Sequence, residues 1–347
     1  MLWSEKYRPL TLDNLIIDPE NIHKLKSFVK QKNIPHLMFI GLPGSGKMST
    51  ALCFIRDLYG NTYKSYYDEI DTQDSANFYE NYKTMWFQLA KYENKRRGKS
   101  RSPNRMQILL TIIRNFPKFR SFGKIGFRIL IINNSHLLSI NTQQALRRMM
   151  EKSTKTFRLI LLSKNLSNII DPVQSRCIKV NFPNLEDKRV LQVLRYIGEK
   201  EKLKISNDAF KAILFYTDND LTKCINLLQS CSSFSSSIDG NLVYDIIEMV
   251  SPNKLLNQLF DGIINQDFNE VRRRTRDLFL KFGYMGREIL TLLYEKLLYS
   301  PIPEALKIQI SQKIGDIDFR IVEGANEEIQ ISYFLAYLYS LHNQLES

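Results

Sequence analysis

The chain has 347 residues, a formal net charge of +13, 44% hydrophobic residues and 24% charged residues. That length suits two or three domains, and the balance is that of an ordinary globular protein. No apolar run is long enough to cross a bilayer, and the opening residues lack the apolar core of a signal peptide, so a soluble intracellular protein is expected. The basic excess points to a polyanion partner, of which nucleic acid is the usual one. Cys53, Cys177, Cys224 and Cys231 are too scattered for a zinc pattern or a disulfide framework, and read as reduced, mostly buried thiols.

In chain order, His36-Leu37-Met38-Phe39-Ile40 is a short apolar run that stops at Gly41. A glycine-rich turn follows, and then Met48 to Leu58 has apolar residues at helical spacing. Residues 94–105 are polar and basic, bounded by Gly and Pro, and read as a surface insertion, either solvated or a phosphate-contacting arm. Gln107 to Phe116 is helix-like. Phe127 to Ile132, Arg158 to Leu162 and Ile178 to Phe182 are three more strand-like runs. Short apolar strands separated by helical stretches imply a parallel sheet covered on both faces, with ligands at the carboxyl ends of the strands. From about residue 186 no strand is expected: Leu185 to Lys200, Ser206 to Tyr216 and Asp220 to Gln229 read as helices, and the Ser-rich stretch Ser230 to Ser237 as a loop. After about residue 250 the pattern is all-helical, with breaks at Ser251-Pro252 and Ser300-Pro301.

Gly41-Leu42-Pro43-Gly44-Ser45-Gly46-Lys47 matches seven positions of the phosphate loop G-x-x-x-x-G-K-[ST], between a strand and a helix as that motif requires. Glycines let successive N–H groups turn toward phosphate oxygens, the helix N-terminus adds partial positive charge, and Lys47 supplies a full one. The eighth position is Met48, whose thioether is a poor ligand for Mg²⁺; Ser49 lies about 100° further round the helix and does not replace it. ATP or ADP binding is therefore expected to survive, while Mg²⁺ has little to hold it. The strand at 127–132 ends in Asn133-Asn134, where a nucleotide hydrolase carries a metal-orienting carboxylate and a water-polarising one. Amides cannot take that proton. His136 is a conceivable substitute base, though a surface or partner-facing histidine fits it as well.

Several segments together resemble the small subunits of replication factor C, sliding-clamp loaders of the AAA+ class. They are Trp3-Ser4-Glu5-Lys6-Tyr7-Arg8-Pro9, Pro35-His36-Leu37, the phosphate loop, Gln143-Gln144-Ala145-Leu146-Arg147-Arg148-Met149-Met150-Glu151, Ser175-Arg176-Cys177, and Asp318-Phe319-Arg320 with Glu323-Gly324-Ala325-Asn326-Glu327. They occur in the family's order from residue 3 to about 330. The resemblance implies an AAA+ parallel-sheet core over 1–183, an all-helical lid over 184–245 and an all-helical collar for oligomerisation over 246–347. It also implies a hetero-pentamer that places a ring-shaped sliding clamp on primer–template DNA, at a nuclear or cytoplasmic replication site, with nucleotide between neighbouring subunits. Arg176 is then the arginine that reaches into the next subunit's site.

The departures from the family fall on one side. Its acid pair lands on Asn133 and Asn134, its first sensor asparagine on or near Lys164-Asn165, and its second sensor arginine on Thr222. Arg176 is retained. The pattern resembles the family's small subunit with a non-hydrolysing site, so ATP turnover by this chain itself is expected to be weak or absent. Arg114, Lys118, Arg120, Arg147 and Arg148 are candidates to face DNA phosphates, with a solvated face as the rival reading. Two other functions compete. A stand-alone AAA+ ATPase acting on DNA is opposed by Asn133-Asn134. A scaffold that no longer binds nucleotide is opposed by Gly44, Gly46 and Lys47.

Overall fold

The computed structural model describes residues 1–32, 34–72, 105–116, 125–152, 156–250, 259, 268–299 and 302–346. Lys118, Arg120 and the 94–104 part of the basic insertion lie outside the described residues. The chain divides into two compact units, Met1–Val243 and Tyr244–Ser347.

Among the described residues, the first unit is built on five parallel strands: β1 (His36–Gly41), β2 (Tyr67–Asp71), β3 (Arg128–Asn133), β4 (Phe157–Ser163) and β5 (Cys177–Phe182), in the order β2-β3-β4-β1-β5. The side chains alternate between two cores, as the twofold period of a strand requires. Met38, Leu130, Ile132, Leu159 and Leu161 face one cluster, with Ile108, Ile112, Leu146 and Met150 from the helices α4 (Arg105–Asn115) and α5 (Ile140–Lys152). Leu37, Phe39, Ile129, Ile131, Ile160 and Leu162 face the other, with Leu25 and Phe54 from the helices α2 (Pro19–Gln31) and α3 (Lys47–Tyr59). Burial on both faces is why these strands read as continuous apolar runs. Each fully buried Leu, Ile or Phe contributes about 2 kcal/mol.

Two features differ from the sequence expectation. β2 was not expected: Tyr-Asp-Glu-Ile-Asp is polar, and Ile70 is its one fully buried residue. As an edge strand it needs only that anchor, the ladder to β3 and the Asp68–Arg128 ion pair at 2.7 Å. The expectation of no strand beyond 186 is also corrected. A two-residue parallel ladder, β6 (Lys204–Ile205) with β7 (Ser237–Ile238), joins the helices of this segment; the Ser-rich stretch starts in the end of a helix, forms a turn and loop over 233–236 as expected, and ends in β7.

The N-terminal turn, α1 (Trp3–Lys6), is tied to the helices that follow the sheet. Trp3 N donates to Gln229 Oε1, and the Tyr7 hydroxyl to Glu201. A four-residue helix, α6 (Asp171–Gln174), leads into β5. After the sheet come α7 (Asp187–Lys200), α8 (Asn207–Thr217), α9 (Leu221–Ser232) and α10 (Gly240–Val250), and the division between the two units falls inside α10. Ser206 caps α8 through Ala209 N, and Asp220 caps α9 through the N–H groups of Thr222 and Lys223.

The second unit holds α11 (Phe268–Leu280), α12 (Gly286–Tyr299), α13 (Glu304–Val322) and α14 (Glu327–Glu346) around Val271, Leu278, Leu293, Ile317 and Phe334. Arg287 and Asp318 pair at 2.7 and 3.1 Å, and Glu327 accepts from Gly286 N. No helix among the described residues is long and apolar enough to cross a membrane.

Candidate functional site: a nucleotide cradle and an outlying arginine

β1 ends at Gly41 and α3 starts at Lys47, so the intervening turn sits at the carboxyl edge of the sheet. Gly44 and Gly46 have φ of +72° and +88°, conformations that L side chains resist. At Gly44 there is a second reason: a Cβ would meet Asp220 Oδ1 at 2.1 Å. Ser45 closes the turn on itself, its hydroxyl donating to Leu42 O at 2.7 Å. The Lys47 ammonium donates to Gly41 O at 2.8 Å, Leu42 O at 2.5 Å and Ser45 Oγ at 3.2 Å. Burial pushes its pKa down to about 8, with the Asp220 charge pulling the other way. A half-desolvated ammonium held by neutral oxygens gains most from a polyanion, which fits phosphate. Met48 packs against the α2–α3 side of the core and lines the cavity beside Ser49.

That cavity, of about 460 Å³, is also lined by Asp71, Asn133, Asn134, Lys164 and Thr222. β2 and β3 run in register with Asp71 opposite Asn133. Asn133 Nδ2 donates to Asp71 Oδ2 at 2.8 Å, and Asn134 Nδ2 donates to Asp71 Oδ1 at 2.9 Å. Asn134 takes a left-handed conformation at φ 51°, held by its N–H on Asn133 Oδ1 at 3.0 Å and its carbonyl under the Thr72 hydroxyl at 2.6 Å. The two amides are thus bridged by a carboxylate on the neighbouring strand. Reasoning from sequence missed Asp71 because it missed β2. It also assigned no part to Ser4, Glu5 and Arg8 of the opening segment, which line the same cavity.

The family resemblance brings Mg²⁺ with the nucleotide. The donors fit it poorly: Met48 offers sulfur, Asn133 Oδ1 already accepts from Asn134 N, and both Asp71 oxygens already accept amide bonds. The nucleotide fits better, since the cradle depends on backbone N–H groups, the α3 N-terminus and Lys47.

Lys164 reaches the cavity, whereas Asn165 lies exposed beyond β4, with its carbonyl accepting from Ser163. Thr222 sits on the first turn of α9 and lines both this cavity and an adjoining one of about 600 Å³ formed with Tyr7, Ile17 and Tyr196. His136 accepts from Lys164 N at 3.4 Å, and burial with the Lys164 and Lys47 charges holds its pKa below the ordinary value.

Arg176 is elsewhere. It immediately precedes β5, whose register with β1 runs from His36 opposite Cys177 to Gly41 opposite Phe182. Six steps of a strand separate its backbone from the phosphate loop, roughly 20 Å, on the opposite edge of the sheet. The side chain is exposed, with Nη1 donating to Pro172 O and Nη2 to Glu151 Oε1, each at 2.7 Å. Arg147 pairs with the same carboxylate at 3.1 Å, while Arg148 and Arg114 are exposed on α5 and α4.

Family models match both ends of this layout: "DNA polymerase III, delta subunit" over residues 17–186 and "Replication factor C C-terminal domain" over 251–337. The replication factor C small subunit of Staphylothermus marinus is 32% identical over 348 residues, covering 100% of this chain and 97% of that protein. The one from Archaeoglobus fulgidus is 33% identical, covering 98% of each. Among solved structures, the Aeropyrum pernix ORC1 protein in complex with DNA aligns at a TM-score of 0.53 and 12% identity, over 78% of this chain and 80% of that one, a likeness of fold alone. With full-length identity at this level and an AAA+ fold, the chain belongs to the replication factor C small-subunit family.

Proposed function

We propose that this chain is a subunit of a hetero-pentameric clamp loader that uses ATP binding and hydrolysis to place a ring-shaped sliding clamp on primer–template DNA. In this reading its own site holds ATP or ADP without turning it over efficiently, and Arg176 serves the neighbouring subunit. The observation that carries the reading is the separation of Arg176 from its own phosphate loop. An arginine whose backbone lies roughly 20 Å from its own phosphate loop cannot touch a phosphoryl group there, yet its side chain is exposed at an edge where another subunit can dock.

The residues divide the work. The loop from Gly41 to Lys47 binds phosphates, with Ser49 and Met48 on the adjoining wall. Asn133 and Asn134 can hydrogen-bond a water or a phosphate oxygen but cannot take its proton. Arg176 stabilises charge on a phosphoryl group transferred in the neighbour, the established role of a trans arginine. Arg114, Arg147 and Arg148 offer sequence-independent contacts to the DNA backbone.

The test is nucleotide binding and turnover by the isolated chain, followed by the same measurements after co-purification with its partner subunits and clamp. Tight binding with negligible turnover alone, and DNA-stimulated turnover in the complex, is the expected result. Fast turnover by the isolated chain sinks the reading.

A further inference from the structure

We propose that Glu151 is the positioning residue for Arg176, fixing the guanidinium in the orientation in which it meets the neighbouring subunit. The proposal rests on the reading of Arg176 as a donated arginine.

The geometry brings together two motifs separated by 25 residues. α5 begins just past Asn134, beside the nucleotide cavity, and runs for 13 residues. At the α-helical rise that is about 18 Å, the depth of the sheet, so its last turn arrives at the edge where β5 starts. Glu151 stands on that last turn. Its Oε1 accepts from Arg176 Nη2 at 2.7 Å while Pro172 O accepts from Arg176 Nη1 at the same distance. The planar fork is therefore fixed at both terminal nitrogens. Arg176 keeps 35% of its side-chain surface exposed, so its remaining N–H groups have access to solvent. A free arginine samples many rotamers, and two anchors remove most of that freedom before a partner arrives.

The charge arithmetic supports holding rather than quenching. The same Oε1 also takes Arg147 Nε at 3.1 Å. Two guanidinium groups share one carboxylate, which leaves a net charge of +1, so an incoming phosphoryl group still meets positive potential. The Arg147 hydrogen bond, and then Arg176, keep the Glu151 carboxyl below its usual range, and it is ionised throughout the neutral region. An exposed ion pair adds little to stability; the consequence of this one is geometric.

The experiment measures ATP turnover by the assembled complex carrying Glu151→Ala or Glu151→Gln, each alone and combined with Arg176→Ala. Glu151→Ala is expected to lower kcat about three- to tenfold, the value of ordering one long side chain in advance, with KM for ATP, assembly and Tm unchanged. Glu151→Gln keeps an acceptor oxygen and should fall between Glu151→Ala and the unsubstituted complex. In the Arg176→Ala background neither substitution should lower kcat further. An unchanged or raised kcat with Glu151→Ala overturns the proposal, and so does full additivity with Arg176→Ala. If Arg176→Ala alone leaves kcat untouched, it is the donor reading that has failed, and this proposal falls with it.

Discussion

The two edges of the parallel sheet have fared differently. At the carboxyl edge, Met48, Asn133 and Asn134 stand where the proposed reading looks for a hydroxyl and two acids, yet the loop has its glycines, its left-handed turns and Lys47. At the amino edge, Arg176 stands exposed with its hydrogen-bond anchors in place. Binding a polyphosphate draws on one ammonium, which Lys47 supplies, and mainly on backbone N–H groups and a helix terminus, which survive side-chain substitution. Splitting it needs carboxylate chemistry, which does not. An arginine given to a neighbour is subject to neither constraint, because its value depends on the neighbour's acids.

The sharpest test of that contrast is Arg176→Ala. Turnover at the neighbouring site, read in single-turnover experiments on the complex, should fall by about a thousandfold, the lower range for a trans arginine. Assembly should be unaffected, because the side chain is exposed. Unaltered turnover would mean that the amino edge is as inert as the carboxyl edge.

Next in size is Lys47→Ala. The ammonium donates to the neutral oxygens Gly41 O, Leu42 O and Ser45 Oγ, and can turn from them toward phosphate. Its removal should weaken nucleotide binding by the isolated chain about a hundredfold, as for loss of a charged hydrogen bond, with a much smaller effect on complex turnover than Arg176→Ala. Equal effects of the two variants would place catalysis at this chain's own site.

The same lysine gives a pH signature. Burial has lowered its pKa to about 8, so folding leaves it binding fewer protons than the unfolded chain between pH 8 and the ordinary lysine value. Stability should therefore rise with pH across that window. Nucleotide binding runs the other way: phosphate favours the protonated form, so affinity should drop about fivefold between pH 8 and 9. Titration of a fluorescent nucleotide measures it, and Lys47→Met should flatten the profile. A flat profile in the unsubstituted chain would remove Lys47 from phosphate contact.

What the sequence disclosed follows the same division between local and assembled features. The phosphate loop was readable because its seven residues are consecutive and their conformations are dictated by glycine. β1, β3 and β4 were readable because they are buried on both faces, and β5 because its apolar residues alternate with exposed ones. β2 was not, since an edge strand with one buried residue carries no apolar signature, and Asp71 went with it. The Arg176–Glu151 contact was equally hidden. Each residue lies in a recognisable motif, but only the parallel topology, with α5 running back along the sheet, sets them side by side. Lys164 and Thr222 line the cavity, whereas Asn165 lies exposed outside it.

Asp71 supplies the finest test. The amides of Asn133 and Asn134, at the end of β3, both donate to a carboxylate on β2. If the carboxyl edge was remodelled as a unit, Asn133→Asp should lose one donated bond and set two like charges together, lowering stability by about 1 kcal/mol. The exchanged pair, Asp71→Asn with Asn133→Asp, restores one amide and one carboxylate in reversed positions and should recover most of the loss. Urea unfolding of the two single variants and the double variant yields the coupling directly. Additive losses would show that Asp71 and Asn133 are merely neighbours, and that the amides arose without any accommodation on the adjoining strand.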